Sequence, residues 1–323
     1  MPEKQHNHEK SEQNFSDIKM SDKKLKQMAT ISSVLISSLI ATIKIFAAFF
    51  TGSLAILSSL IDSLADILSS LISFIAVKIA LKPANCDYRY GFGKAEALSA
   101  LIQSSFIAGS GLFVLYDGIY RLLHPTLVKQ LEFGVIIMIV SMILTCALIA
   151  FQRYVVIKTN SLAIKADSKH YEVDILTNGV IVLSLILTKY FQSYLFDIIG
   201  AIVVSFYLIY QAYLLAKEAL YMLTDRELDA EIRENIGQII MQSYGVMGYH
   251  DLRSRNAGGV YLFEVHIELD GNIKLYQAHE IVSKIEEKII QAYPSSQIII
   301  HEDPFGVEEK RLDNLLPGNC QKV

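Results

Sequence analysis

Two aspartates stand four residues apart in the stretch LIDSLADIL, at Asp62 and Asp66, inside a run that is otherwise apolar. His170 and Asp174 repeat that spacing in ADSKHYEVD. Helical residues four apart share a face, so each pair offers two ligand groups in one direction. An aspartate at the centre of a membrane span costs about 2.5–3.5 kcal/mol on insertion scales, and such residues face the bundle interior and need a partner. Three carboxylates and one imidazole form an N/O set suited to a divalent cation, whose charge offsets the repulsion among the carboxylates.

The elements that must position these residues are membrane helices. The chain has 323 residues, 52% of them apolar and only 19% charged, with mean hydropathy +0.36; that is oily for a soluble protein of this length. Apolar runs recur at 30–50, 54–79, 98–122, 132–156, 161–188 and 196–216, each about as long as the ~20 residues that cross a hydrocarbon core, or longer. Lys and Arg collect before the first run (Lys23, Lys24, Lys26), between the second and third (Lys78, Lys82, Arg89, Lys94) and between the fourth and fifth (Arg153, Lys158, Lys165, Lys169). The positive-inside rule therefore predicts six spans with both termini cytoplasmic. The second span then runs outside to inside and the fifth inside to outside. At 1.5 Å per residue, Asp62 and Asp66 lie ~12–18 Å from the outer edge and His170 and Asp174 ~14–20 Å from the inner one. In a ~30 Å core both pairs reach the midplane and can form one site. Two other readings stay open at this point. A basic residue in the bundle, Lys44, could pair with the aspartates, although it lies near the outer end of the first span and can snorkel to water; and His170 and Asp174 could belong to a cytoplasmic helix end, since Lys165 and Lys169 precede them.

Residues 1–26 are polar, too hydrophilic for a signal peptide, and predict a disordered tail in which His6 and His8 are solvated. After about Leu223 the composition turns to that of a small soluble domain with the order helix, strand, strand, helix, strand. The helices are expected over 229–245 and 275–293. VYLFEVHIEL (260–269) alternates, with Tyr261, Phe263, Val265, Ile267 and Leu269 on one side and Glu264, His266 and Glu268 on the other. SQIIIHED (296–303) reads as a further strand. Four of the eight histidines fall in this domain, which with Asp303 points toward zinc-type ligation. A net charge of −4, with no block of like charges, gives no sign of a nucleic-acid partner. Cys86, Cys146 and Cys320 have no regular spacing and are expected to be reduced thiols.

Several motifs together carry a resemblance: TGSLAILSSLIDSLADI (51–67), GFGKAEALSALIQS (91–104), ADSKHYEVD (166–174), GYHDLRSR (248–255), QAHEIV (277–282) and IIIHEDP (298–304). In this order and spacing the chain resembles the cation diffusion facilitator family of six-span divalent-metal/proton antiporters. The resemblance implies that Asp62, Asp66, His170 and Asp174 are the transport site. It also implies a homodimer whose six-helix membrane domain (27–222) is followed by a ferredoxin-like, metallochaperone-like α+β cytoplasmic domain (223–308) and a C-terminal tail (309–323). His250, His266, His279, His301 and Asp303 match a metal site in the cytoplasmic domain of relatives, with Asp251 and Glu302 as adjacent candidates. Lys94 and Asp225 match a pair that interlocks the protomers. Relatives carry a further metal site in the second loop, where this chain has Asn85, Tyr88 and Phe92, so that site is expected to be absent; Cys86 and Asp87 would be a weak substitute.

The imidazole favours Zn²⁺, Fe²⁺ or Co²⁺ over Mg²⁺ and Ca²⁺. The expected activity is export of Zn²⁺, with Fe²⁺, Cd²⁺ or Co²⁺ as alternatives, in exchange for protons across a bacterial inner membrane. The alternative is a family member that senses metal or supports assembly without transporting. An intramembrane metalloprotease is excluded on sequence because its HExxH helix and general-base glutamate are missing, and no catalytic cofactor is expected.

Overall fold

The protein is described by a computed structural model. It covers the backbone of residues 2–51, 54–123, 134–191, 195–307 and 311–314, and side chains there except at 2–20, 47, 48, 50, 51, 54–62, 121, 122, 134–139, 181, 182, 184, 185, 188, 189 and 195–197. The chain forms two compact units, Met1–Leu220 and Tyr221–Val323.

The first unit consists of long helices: α1 (Pro2–Thr51), α2 (Leu54–Ala80), α3 (Ala95–Leu123), α4 (Gly134–Thr159), α5 (Leu162–Phe191) and α6 (Leu195–Leu223). Because α1 starts at Pro2, residues expected to be a disordered tail are helical; Glu, Lys and Gln in that segment are good helix formers. Among the described residues, five helices (all but α5) have windows apolar enough to cross a membrane. The N-terminal half of α5 carries Lys165, Asp167, Lys169, Glu172 and Asp174, yet its 30 residues extend ~45 Å at 1.5 Å each.

Polarity in this unit runs inside out. Ser33, Ser69, Ser70, Ser73, Gln103 and Gln152 are fully buried, while Leu35, Phe113 and Ile157 are 64%, 70% and 80% exposed, the pattern of helices whose outer faces meet lipid. Small residues let the helices approach closely. A Cβ on Gly111 would stand 3.0 Å from the Leu208 Cβ, and one on Gly118 would stand 3.1 Å from the Ala201 Cβ, so α3 meets α6 along these two glycines. The turn from α4 to α5 is tight. Asn160 takes a left-handed conformation (φ 47°), which asparagine tolerates, and the Ser161 hydroxyl accepts from the Ile164 N–H at 3.4 Å. Beside that turn, the buried Lys26 of α1 donates to Glu96 of α3 at 2.8 Å, and Ser161 donates to the other Glu96 oxygen at 2.6 Å.

The second unit has the element order the sequence predicts: α7 (Ala230–Met241), β1 (Gly248–Asn256), β2 (Tyr261–Leu269), α8 (Leu275–Ala292) and β3 (Ser296–Pro304), then a short 3-10 turn (Leu312–Asn314). The sheet order is β1-β2-β3, with β1 antiparallel and β3 parallel to β2. Phe263, Val265, Ile267 and Leu269 pack with Ile236 and Ile240 of α7 and Val282, Ile285 and Ile289 of α8. Each fully buried side chain of this kind contributes about 1.5–3 kcal/mol. Alternation along β2 then turns His266 and Glu268 to the face away from the helices.

Candidate functional site

In the first unit α2 and α5 bring Asp66, His170 and Asp174 together. His170 Nε2 lies 3.3 Å from Asp66 Oδ1 and 3.8 Å from Asp174 Oδ2, and one ligand atom from each residue falls within 4.8 Å of the others. Tetrahedral coordination with bonds of about 2.0–2.1 Å puts neighbouring donors roughly 3.3–3.4 Å apart, so the cluster is close to a metal-binding geometry. His170 is buried, whereas Asp66 and Asp174 keep 22% and 36% of their side-chain surface, which leaves a route for an ion. Asp62 lies in the backbone of α2, but its side chain is outside the described residues. A cavity of about 80 Å³ adjoins the cluster and is lined by Lys44, Asp66, Tyr171, Asp174 and Asn178, among others. That space is enough for several waters or a partly hydrated ion.

One turn before His170, Asp167 is completely buried. It accepts from Ser33 of α1 at 2.5 Å and from Gln152 of α4 at 2.7 Å. Ser70 of α2 is 2.8 Å from Ser33 and 2.6 Å from the Tyr171 hydroxyl. This knot ties four helices together directly beside the cluster and holds α2 and α5 in register. Sequence reading passed over Asp167, although the stripe Asp167, His170, Asp174 follows the 3-4 helical spacing and was there to be seen.

The second unit gathers a second group through strand register. His250 of β1 sits directly opposite His266 of β2, which is itself level with His301 of β3. The three imidazoles form a row, with ring centroids 5.1 Å and 4.7 Å apart. Two residues further along β3, Asp303 faces all three: Oδ2 is 2.8 Å from His266 Nδ1 and 3.5 Å from His250 Nε2, and Oδ1 is 3.2 Å from His301 Nε2. His250, His266 and Asp303 could hold one metal ion, with the more exposed His301 able to join through Asp303. His279 is exposed on α8 and does not belong to this group within the one chain; Glu302 is exposed on β3.

Glu268 lies on the side of β2 opposite the apolar row, as the alternation predicts, yet it is buried. Its Oε1 lies 3.3 Å from His250 Nδ1, without hydrogen-bond alignment, and pairs with Arg311. Gly248 makes room for it: a Cβ there would stand 2.9 Å from Glu268 Oε2. Asp251 turns away from the row. It occupies a bulge in β1 with φ 53°, and its carboxylate accepts from the Leu312 and Asp313 N–H groups at 2.8 and 2.9 Å. Asp313 in turn accepts from the Asp251 N–H at 3.0 Å. Burial works to raise the Asp251 carboxyl, but those two N–H donors, aided by His250 and His266, hold it below its ordinary value. No sequence pattern connects residue 251 with residues sixty positions later.

In the second loop Asn85 accepts from the Asp87 and Tyr88 N–H groups at 3.1 and 2.8 Å, so its side chain shapes the turn. Asp225 lies 3.4 Å from an Arg255 nitrogen within the second unit, while Lys94 belongs to the first unit.

Comparison with known proteins decides the family. Residues 30–224 match the family model for the cation efflux transmembrane domain, and residues 228–305 match that for the cation efflux protein, cytoplasmic domain. The chain belongs to the cation efflux, or cation diffusion facilitator, family. This cation efflux protein is 39% identical over 293 residues to the cation-efflux pump FieF of Citrobacter koseri, covering 90% of this chain and 97% of that one. It is 40% identical over 284 residues to FieF of Escherichia coli K12, with 88% and 94% covered. Among solved structures, the metal-bound C-terminal domain of the CzcD transporter from Thermotoga maritima aligns with 24% of this chain and 93% of its own, at 28% identity and a TM-score of 0.24. The cation efflux protein is thus a multi-pass membrane transporter with a cytoplasmic α/β domain.

Proposed function

We propose that this protein exports divalent transition-metal cations from the cytoplasm in exchange for protons, with Zn²⁺ the first choice and Fe²⁺, Cd²⁺ and Co²⁺ as alternatives. The observation that carries this reading is the convergence of Asp66, His170 and Asp174 within 4.8 Å on two membrane helices. Asp62, one turn before Asp66, completes the set. A neutral imidazole and ionised carboxylates are required to bind the ion, so capture expels protons and their return favours release. Alternating access around this site then couples the two flows. The imidazole selects against Mg²⁺ and Ca²⁺, and the ordinary affinity order places Zn²⁺ above Fe²⁺.

The protein acts as a homodimer in a bacterial inner membrane with both termini cytoplasmic, as the distribution of Lys and Arg supports; Lys94 and Asp225 interlock the two copies. In the cytoplasmic domain, His250, His266, His301 and Asp303 hold metal, with His279 contributing at the dimer interface. That ion supplies charge neutralisation for a row of donors crowded onto one sheet face. The test is Zn²⁺ uptake by proteoliposomes under an imposed proton gradient. Asp66→Ala and Asp174→Ala should each abolish it; retention of wild-type uptake by either variant would overturn the assignment. Uptake by the wild-type protein also separates a carrier from a metal sensor that does not transport.

A further inference from the structure

The cavity beside Asp66 and Asp174 has a cation built into its wall. Lys44 sits near the outer end of the first span, where a long stem could carry its ammonium to water. The structure sends it inward instead. Lys44 Nζ donates to Ser63 Oγ at 2.6 Å, and Ser63 is fully buried on α2. Ser63 precedes Asp66 by three residues, so the two lie on adjacent turns of one helix face, about 5–6 Å apart at Cβ. Lys44 also lines the same cavity of about 80 Å³ as Asp66 and Asp174.

We infer that Lys44 is a substrate-tuning residue of the transport cavity: a fixed positive charge, anchored on Ser63, with which an incoming dication must share the carboxylates. The inference rests on the transport reading above and goes beyond it. Among the described residues, Asp66 and Asp174 bring two carboxylates to the cavity and Lys44 brings one ammonium. The ammonium offsets one of the two negative charges those carboxylates present to an incoming ion. Without the ammonium, both carboxylates would face the ion uncompensated. A dication would be held harder, and a carrier that grips too hard releases slowly. Charges a few ångströms apart in a partly buried site interact strongly enough to change affinity by an order of magnitude or more. Lys44 therefore trades affinity for turnover.

The test uses the full-length purified protein, titrated with Zn²⁺ by calorimetry at fixed pH, alongside Zn²⁺ uptake in proteoliposomes. An Asp66→Ala protein identifies the part of the binding that belongs to the cavity. Lys44→Gln should tighten that Asp66-dependent part at least about tenfold and lower both KM and kcat. Lys44→Arg, which keeps the charge, should stay near wild type. Ser63→Ala, which removes the Ser63 hydrogen bond but keeps the ammonium, should give an intermediate shift and serves if Lys44→Gln does not fold. Unchanged or weaker Asp66-dependent binding in the folded Lys44→Gln and Ser63→Ala proteins overturns the role of Lys44 and leaves the transport site standing. If wild type and Asp66→Ala bind Zn²⁺ alike, the transport-site assignment falls and this inference falls with it.

Discussion

The Lys26–Glu96 pair offers a demanding test of how the membrane unit is held together. The two side chains are 2.8 Å apart with only 11% and 3% of their surface exposed, and Ser161 adds a second hydrogen bond to Glu96. At an effective dielectric near 20 the attraction is about 6 kcal/mol. Desolvation takes back several kcal/mol per ion, so the net worth of the intact pair is small. Breaking it is a different matter. Lys26→Met leaves Glu96 buried with a serine as its remaining donor, and loss of one member of a buried pair costs about 3–5 kcal/mol. For a unit of roughly 200 residues this corresponds to a fall of about 6–20 °C in the apparent melting midpoint. The double variant Lys26→Met/Glu96→Gln removes the stranded charge and should recover much of the loss. The assay is thermal denaturation of the detergent-solubilised protein, followed by loss of monodisperse protein on size exclusion. A Lys26→Met midpoint within about 2 °C of wild type, or a double variant as damaged as the single one, would refute the claim that an uncompensated carboxylate is what the lysine prevents.

Two predictions concern the cytoplasmic domain. In Gly237→Ala, the added Cβ would stand 2.3 Å from the Tyr249 hydroxyl; the roughly 1 kcal/mol gained in helix propensity is outweighed by about 1–3 kcal/mol of overpacking, so a variant more stable than wild type in chemical denaturation would contradict the packing described. The Asp251 carboxyl is held low against the opposing effect of burial, by the Leu312 and Asp313 N–H groups with help from His250 and His266. A depressed carboxyl adds stability that is present above its unfolded value, near 3.8, and is lost as pH falls through the still lower folded value. The amides of the 3-10 turn at 312–314 should therefore lose protection, measured against their intrinsic exchange rates, below about pH 4. Asp251→Asn should show that reduced protection already at pH 7, and identical protection-versus-pH profiles for the two proteins would count against the link.

The sequence determined the broad plan because the forces behind it are one-dimensional. Apolar runs about twenty residues long have few alternatives to spanning a bilayer, and a two-residue alternation in 260–269 has one good way to bury its apolar side. The spacing of four in Asp62/Asp66 and His170/Asp174 was equally legible, since helical periodicity puts such residues on one face. What only the tertiary structure decided depends on rotation and register between elements. Nothing local could tell that Lys44 turns inward to Ser63, that Asp167 is sealed among Ser33, Ser70 and Gln152, or that strand pairing sets His250, His266 and His301 in one row. Glu268 shows the difference most clearly. Alternation placed it on the side opposite Phe263 and Ile267, as observed, but its burial comes from the open space over Gly248 and from Arg311. Those partners lie twenty and more than forty residues away in the chain, and no periodic signal connects them. A side chain's direction is a property of its own helix or strand; what it meets there is a property of the neighbours, and only folding brings them in.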